Sequence, residues 1–271
     1  MSKHSLVLWA TSSVKEPIMN TDLVKAHLNL NAVLVNLEDL VVYDEEMAAL
    51  SKNWALSIQF IVRNGPRAHI TFENGKCTVG RGRRKRPSII LYFFSPRHLV
   101  RMFDGKAQPV LLKGFTKLGF LLKDFPKLTA RLEHYLKPTP ELLADKKYLA
   151  LNTRFTITTA AFAVRELGLL DPVARAISSH IGNGVVLMKV NPEGPAAMLR
   201  FQDGGIEAEK GDTAKPMSAM LFRNLKTAND ILNQKLDAFT AIATGDVMPR
   251  GRIGMVDSLS LILDRIPLYL G

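Results

Sequence analysis

The chain has 271 residues, 47% of them hydrophobic and 23% charged, and a net charge of +11. That length and composition exclude disordered and fibrous classes and suit two globular domains. Cys77 is the single cysteine, which excludes an internal disulfide and favours a reducing compartment.

In chain order, the opening segment MSKHSLVLWATSS holds a five-residue apolar run, Leu6 to Ala10, short for a signal peptide and too short to span a bilayer. A helical stretch from about Thr21 to Leu50 follows. LSIQFIVR, AHITFEN, KCTVGRG and PSIILYFF then read as strands, PRHLVRMFD as a helix and LTARLEHYL as a closing helix. KPTP at 137–140 is the natural seam, so domains are expected over 1–137 and 138–271. Beyond it, Thr139-Pro140-Glu141 caps a helix, TTAAFAVREL carries another, and Asp171-Pro172 opens a third through about Ile181. GVVLMKVN, AAMLRFQ, GIEAEKG and PMSAMLFRN are strands, and Ile206 and Ala208 alternate with Glu207 and Glu209 as on a sheet with one wet face. LKTANDILNQ and DAFTAIAT read as helices and GDVMPRG as a short strand. VDSLSLILDRI closes the chain with Leu259, Ile262, Leu263 and Ile266 on one helical face.

The two halves repeat one another. An offset of 129 relates Gly65/Gly194, Pro66/Pro195, Ala68/Ala197, Phe72/Phe201, Gly75/Gly204, Gly82/Gly211, Pro87/Pro216, Phe93/Phe222 and Lys106/Lys235. Ala32/Ala161 and Val35/Val164 keep that register upstream; Gly114/Gly245 and the final LEHYL and IPLYL need small shifts. Turn glycines and aromatics in matched columns point to two copies of one α+β unit.

FENGKCTVGRG and FQDGGIEAEKG resemble the second-to-third strand turn of the sterol carrier protein family. NDILNQKLDAFTAIATGDVMPRGRIGMVDSL is similar to that family's run of helix, Gly-Lys-Leu, second helix, glycine-flanked strand and last helix. Gln234-Lys235-Leu236 and Asp104-Gly105-Lys106 stand in the Gly-Lys place, Gln234 departing from the usual glycine. The resemblance spans about residues 27–136 and 156–270. It implies two tandem sterol-carrier-like domains, each a mainly antiparallel five-stranded sheet with helices packed on one face. It further implies an apolar tunnel between sheet and helices that holds a sterol, fatty acyl chain or quinone-like lipid.

The residues add a physical reading to that implication. Met188, Met198, Met217, Met220, Met248 and Met255 sit in the second half's strand and helix segments, and methionine suits irregular apolar guests. By alternation Met220 shares a face with Phe222, and Leu91 with Phe93. The expected lining is Leu91, Phe93, Met102 and Phe103 in the first half. In the second it is Met188, Phe201, Met220, Phe222, Ile231, Phe239, Ile242, Met248, Met255, Leu259 and Leu263. Taken one at a time, the same apolar residues read more readily as plain core.

Residues 1–136 carry +9 of the net charge and residues 137–271 carry +2, much of the excess lying in RGRRKR at 81–86. Arg81, Arg83, Arg84, Lys85 and Arg86 read either as a solvated turn or as a contact for an anionic membrane surface. Nucleic acid is disfavoured, because neither interleaved aromatics nor a recognition helix accompanies the run. GxxxxGK[ST], HExxH, GxSxG and CxxC are absent and the histidines are scattered, so neither enzyme chemistry, cofactor nor metal is expected. Cys77 reads as a buried structural thiol. The expectation is a cytoplasmic, non-enzymatic binder and carrier of a hydrophobic small molecule, peripheral at a membrane. The alternative is an accessory scaffold with filled pockets that binds a protein partner.

Overall fold

The computed structural model describes residues 20–270 apart from 214 and 234; the side chains of Ala238 and Phe239 are likewise outside it. The Leu6–Ala10 run and Gln234 therefore lie outside the described residues. The first half opens with helix α1 (Thr21–Leu28), a π-type turn (Asn29–Val33), a 3-10 turn (Leu34–Asn36), α2 (Leu37–Tyr43) and α3 (Glu45–Ser51). Strands β1 (Leu56–Val62), β2 (Arg67–Glu73), β3 (Lys76–Arg81) and β4 (Ile89–Phe93) follow, then α4 (Pro96–Phe103), β5 (Val110–Lys113) and α5 (Phe125–Leu136). A short α6 (Pro140–Ala144) leads into the 25-residue α7 (Lys146–Leu170). The second half runs through α8 (Pro172–Ser179), β6 (Gly184–Val190), β7 (Ala196–Gln202), β8 (Gly205–Lys210) and β9 (Ser218–Phe222). It ends with α9 (Leu225–Leu232), α10 (Ala238–Ala243), β10 (Val247–Gly251), α11 (Ile253–Leu263) and α12 (Pro267–Leu270). The fold is α+β with two five-stranded sheets.

The sheets share one topology. Their orders are β3-β2-β1-β4-β5 and β8-β7-β6-β9-β10, each antiparallel except for one central parallel pair, β1 with β4 and β6 with β9. Val62 pairs with Phe93 in the first and Val190 with Phe222 in the second. The constant offset of 129 is therefore interrupted. Val62 and Pro66 exchange the same turn hydrogen bond as Val190 and Pro195, so the second turn holds one more residue and β1 answers to β6 at 128. Upstream, the capping residues Asp44 and Asp171 correspond at 127. Counted back from them, Val164 answers to Leu37, and the matches Ala32/Ala161 and Val35/Val164 are not structural counterparts.

Gly114/Gly245 is also corrected. Gly245 ends α10, a helix that the first half lacks, whereas Gly251 takes Gly114's place at the end of the fifth strand. Both are left-handed, with φ of 102° and 77°. A Cβ on Gly114 would stand 3.1 Å from Ile89 Cα, and one on Gly251 would stand 2.9 Å from Ser218 Cα. Each glycine lets the chain close against the start of the fourth strand.

Each half is then locked by the same polar joint. Asp44 caps α3, its carboxylate accepting from Met47 N–H at 3.0 Å, from Arg131 Nε at 2.7 Å and from the Tyr135 hydroxyl at 2.9 Å. Asp171 caps α8 and accepts from Ala174 N–H at 2.8 Å, from both Arg265 Nε and NH2 at 2.8 and 2.6 Å, and from the Tyr269 hydroxyl at 2.6 Å. Arg-x-x-x-Tyr at the chain end of each half thus clasps the cap of the helix before its sheet.

The halves are not merely adjacent. α7 sends Tyr148 and Phe155 into the first half's core and Ile157, Ala161, Val164 and Leu167 into the second's. In return, Val24, Leu28, Ala32 and Val35 from the opening helical run pack in the second core. Among the described residues no helix is long and apolar enough to cross a membrane; α7 carries Lys146, Lys147, Arg154, Arg165 and Glu166.

Burial alone raises the carboxyls of Asp44 and Asp171, but their hydrogen bonds outweigh it and hold both below the ordinary value of 3.8. A carboxyl lowered by folding contributes stability above its unfolded value and loses it as pH falls through the folded one. Asp171→Asn should therefore cost about 2–3 kcal/mol at pH 7. It should also flatten the loss of stability below about pH 4. Urea denaturation of both proteins across pH 2–7 measures this.

Candidate functional site

The lining expected in the second half converges. Met188, Phe201, Met220, Phe222, Met255 and Leu259 are all buried within one cluster between the sheet and α11, with Ile231 and Leu263 packed at its margin. Met248 is half-buried on the edge strand β10, where β-pairing sets it opposite Leu221. Ile242 is not brought to this wall: it is 44% exposed on α10. The Phe239 side chain lies outside the described residues. In the first half Leu91 and Phe93 share the buried face of β4, and Met102 and Phe103 pack partly buried at the end of α4.

The two interiors are filled differently. In the first, Phe60 stacks on Phe93 with centroids 6.5 Å apart, and Trp54 stands edge-on to both Phe72 and Phe120 at 5.0 and 4.9 Å. The pairing register puts Phe60 beside Leu91, and at the same place in the second sheet Met188 beside Met220. Ala197 pairs with Met188 across the sheet, and Ala208, Ala228 and Ala241 are buried in the same cluster. Phe72 and Phe93 keep their rings as Phe201 and Phe222, so the exchange of a ring for pliable thioethers is confined to the central pair.

Cys77 is buried on β3, and burial pushes its thiol well above the ordinary range, Glu38 adding to the effect. It is inert as a nucleophile. Among the described residues no group of three or more His, Cys, Asp or Glu stands together to hold a metal.

Among the described residues, the clefts at two places on the surface are not walled by the expected lining. One of about 670 Å³ lies beside α9, between Asn224, Lys226, Thr227, Asp230, Lys235, Leu236 and Asp246. The other, of about 300 Å³, lies where the halves meet, between His27, Asn31, Gly65, Pro66, Arg67, Arg81 and Gly82. Beneath the second is Glu166, fully buried on α7. Its Oε2 lies 3.0 Å from His27 Nδ1 and accepts from Asn31 Nδ2 at 3.0 Å. Its Oε1 accepts from Arg165 Nε at 2.9 Å, with Arg81 Nε at 3.6 Å.

Burial works against the charged form of Glu166, yet the His27 hydrogen bond, the Arg165 and Arg81 charges and the Asn31 bond hold its carboxyl below 4.5. Arg165 also donates to the Asn31 carbonyl at 3.0 Å and lies over the Phe162 ring. For Arg165 burial prevails and lowers its pKa, because it shares one carboxylate with a second guanidinium. With both oxygens engaged, Glu166 is a counter-charge that ties the halves together. A second tie crosses nearby: Lys210 of β8 bridges Glu38 at 2.9 Å and Asp39 at 3.1 Å on α2.

The basic run divides. Arg81 turns its guanidinium to Glu166, while Arg83, Arg84, Lys85 and Arg86 are exposed on the β3–β4 loop. Buried Gln59 pins that loop, its Oε1 accepting from Arg84 N–H at 2.7 Å and its Nε2 lying 3.0 Å from the Gly82 carbonyl.

No protein-family model matches the chain, and no curated protein matches it. Among solved structures it is similar to a sterol carrier protein domain of Helicoverpa armigera, at 16% identity over 41% of this chain and 87% of that one, TM-score 0.33. It is also similar to the apo sterol carrier protein 2 of Yarrowia lipolytica, at 17% identity over 41% and 91%, TM-score 0.32. A third is the ubiquinone synthesis protein UbiJ-SCP2, at 15% identity over 35% and 80%, TM-score 0.29.

Sequence reading passed over Glu166, His27 and Asn31. The available signal was Arg165-Glu166 inside TTAAFAVRELGLL, a charged pair in a stretch otherwise apolar from Ala160 to Leu170. Glu166→Ala leaves Arg165 buried without its counter-ion and should cost about 3–5 kcal/mol. Arg165→Met combined with Glu166→Leu should cost less than Glu166→Ala alone. Denaturant midpoints of the three proteins at pH 7 check both expectations.

Proposed function

We propose that the chain is a tandem pair of sterol-carrier-like units, 1–137 and 138–271, that binds and transfers a hydrophobic small molecule without catalysing a reaction. The second unit is the binding half. The observation that carries this reading is the exchange at the centre of the parallel strand pair, Phe60 and Leu91 in one sheet for Met188 and Met220 in the other. Rings stacked against rings cannot make room cheaply in a close-packed interior. Methionines change rotamer at little cost and make favourable contact with many apolar shapes. An acyl chain or ring system that displaces them gains affinity from buried area alone: about 300 Å² at 25 cal/mol per Å² gives roughly 7–8 kcal/mol before ordering costs. Such a ligand needs no dedicated polar residue, which agrees with the absence of a catalytic constellation in the sequence.

The second reading is an accessory scaffold with filled pockets. What favours it is the dense aromatic packing of the first half, where Trp54, Phe72, Phe120 and Phe125 form a continuous series of ring contacts. The two readings separate by native mass spectrometry of the freshly purified protein. A bound lipid mass supports the carrier; a clean mass with a stoichiometric protein partner supports the scaffold. Met188→Phe, which gives the second sheet the ring found in the first, should weaken binding of a fluorescent fatty acid about tenfold or more. Phe60→Met should leave it unchanged. Equal binding by wild type and Met188→Phe would remove the assignment to the second half.

A further inference from the structure

The first half exposes an apolar surface that its own fold does not use. After β5 the chain turns at Gly114 and continues as an irregular helix into α5, with a 3-10 turn at Phe115–Lys117 and a π-type turn at Phe120–Asp124. Phe120 enters the core against Trp54 and Phe72. Phe115, Leu118 and Leu122, spaced to share one helical face, are 64%, 44% and 72% exposed, and Leu112 beside them on β5 is 53% exposed. Together these four present on the order of 400 Å² of apolar surface, the size of the largest patch on an ordinary monomer, and such patches are often functional.

The charges along the chain through the patch are nearly all of one sign. Between residues 106 and 127 there are five lysines, Lys106, Lys113, Lys117, Lys123 and Lys127, against one acid, Asp124. The exposed basic loop also reaches the patch. Lys113 Nζ donates to the Pro87 carbonyl at 2.7 Å, and Gly114 packs on Ser88 and Ile89, so the end of the loop carrying Arg83–Arg86 abuts the turn into Phe115. The corresponding run of the second half, beyond Gly251, has no such lysine series: α11 has no basic residue, and Arg250 and Arg252 flank its start.

We propose that this face, Leu112, Phe115, Leu118 and Leu122 with the loop Arg83–Arg86, docks the protein on an anionic phospholipid bilayer. The apolar residues enter the headgroup–acyl boundary while the cations meet lipid phosphates. A protein partner would bury the apolar patch equally well, but it gives no reason for uncompensated lysines on one side and an arginine loop on the other. Docking is an event separate from holding a ligand, and it is measured without one.

The experiment is co-sedimentation of the full chain with phosphatidylcholine vesicles, with and without phosphatidylglycerol. Wild type should pellet with the mixed vesicles and be released by salt. Phe115→Ser/Leu118→Ser/Leu122→Ser should lower the partition coefficient about tenfold or more. Arg83→Ala/Arg84→Ala/Lys85→Ala/Arg86→Ala should do the same. All seven side chains are exposed, so both variants should keep the wild-type melting temperature. In a separate single variant, Phe115→Trp, tryptophan emission should shift to the blue on adding mixed vesicles. Failure of wild type to pellet, serine variants that bind undiminished, or a wild-type dimer that the serine changes dissolve would each overturn the proposal, the last by making the face a self-association surface.

Discussion

The enclosed carboxylate of Glu166 is the constraint around which the two halves are arranged. A bare carboxylate taken from water into a protein interior is strongly unfavourable, so it persists only where donors surround it. Three of its four partners, His27, Asn31 and Arg81, come from the first half, and only Arg165 from its own helix. Separating the halves would strand a charge as well as expose apolar surface. The Lys210 bridge to Glu38 and Asp39 and the exchange of helix faces through α7 reinforce the same junction.

With the sheets held in one body, the halves differ in what fills them. Matching topology and matching Asp–Arg–Tyr clasps keep the scaffold alike, while the central parallel pair changes from Phe and Leu to two Met. That contrast is local: Phe72 and Phe93 answer to Phe201 and Phe222, and only the centre of the pair exchanges a ring for thioethers. The surface differs as well, since most of the excess positive charge belongs to the first half.

Much of the fold was legible because sheets write short-range patterns. Alternation, left-handed turn glycines and Asp-Pro caps mark strands and helix starts within a few residues, and each expected strand is present. The sequence did not announce that α7 is continuous. Thr153, Thr156, Ile157, Thr158 and Thr159 lower its intrinsic helix preference, and tertiary burial on both sides overrides them. Nor did a constant offset survive, because one extra turn residue and the added α10 shift the register without altering topology. The candidate lining was legible only as an apolar set. Its packing depends on which residues face each other across sheets, so Ile242 fell outside it. The Glu166 junction was hidden for a different reason: His27 and Asn31 lie 139 and 135 positions away in the chain.

The reciprocal exchange of helix faces has a consequence for how the chain is made. Val24, Leu28 and Val35 are made early, yet the second half whose core they join has its sheet only from Gly184 onward. At about 5–20 residues per second, roughly 150 residues of delay leave that greasy stripe uncovered for on the order of ten seconds or more. Nascent synthesis therefore passes through an interval in which the opening helices are complete before their permanent neighbours exist.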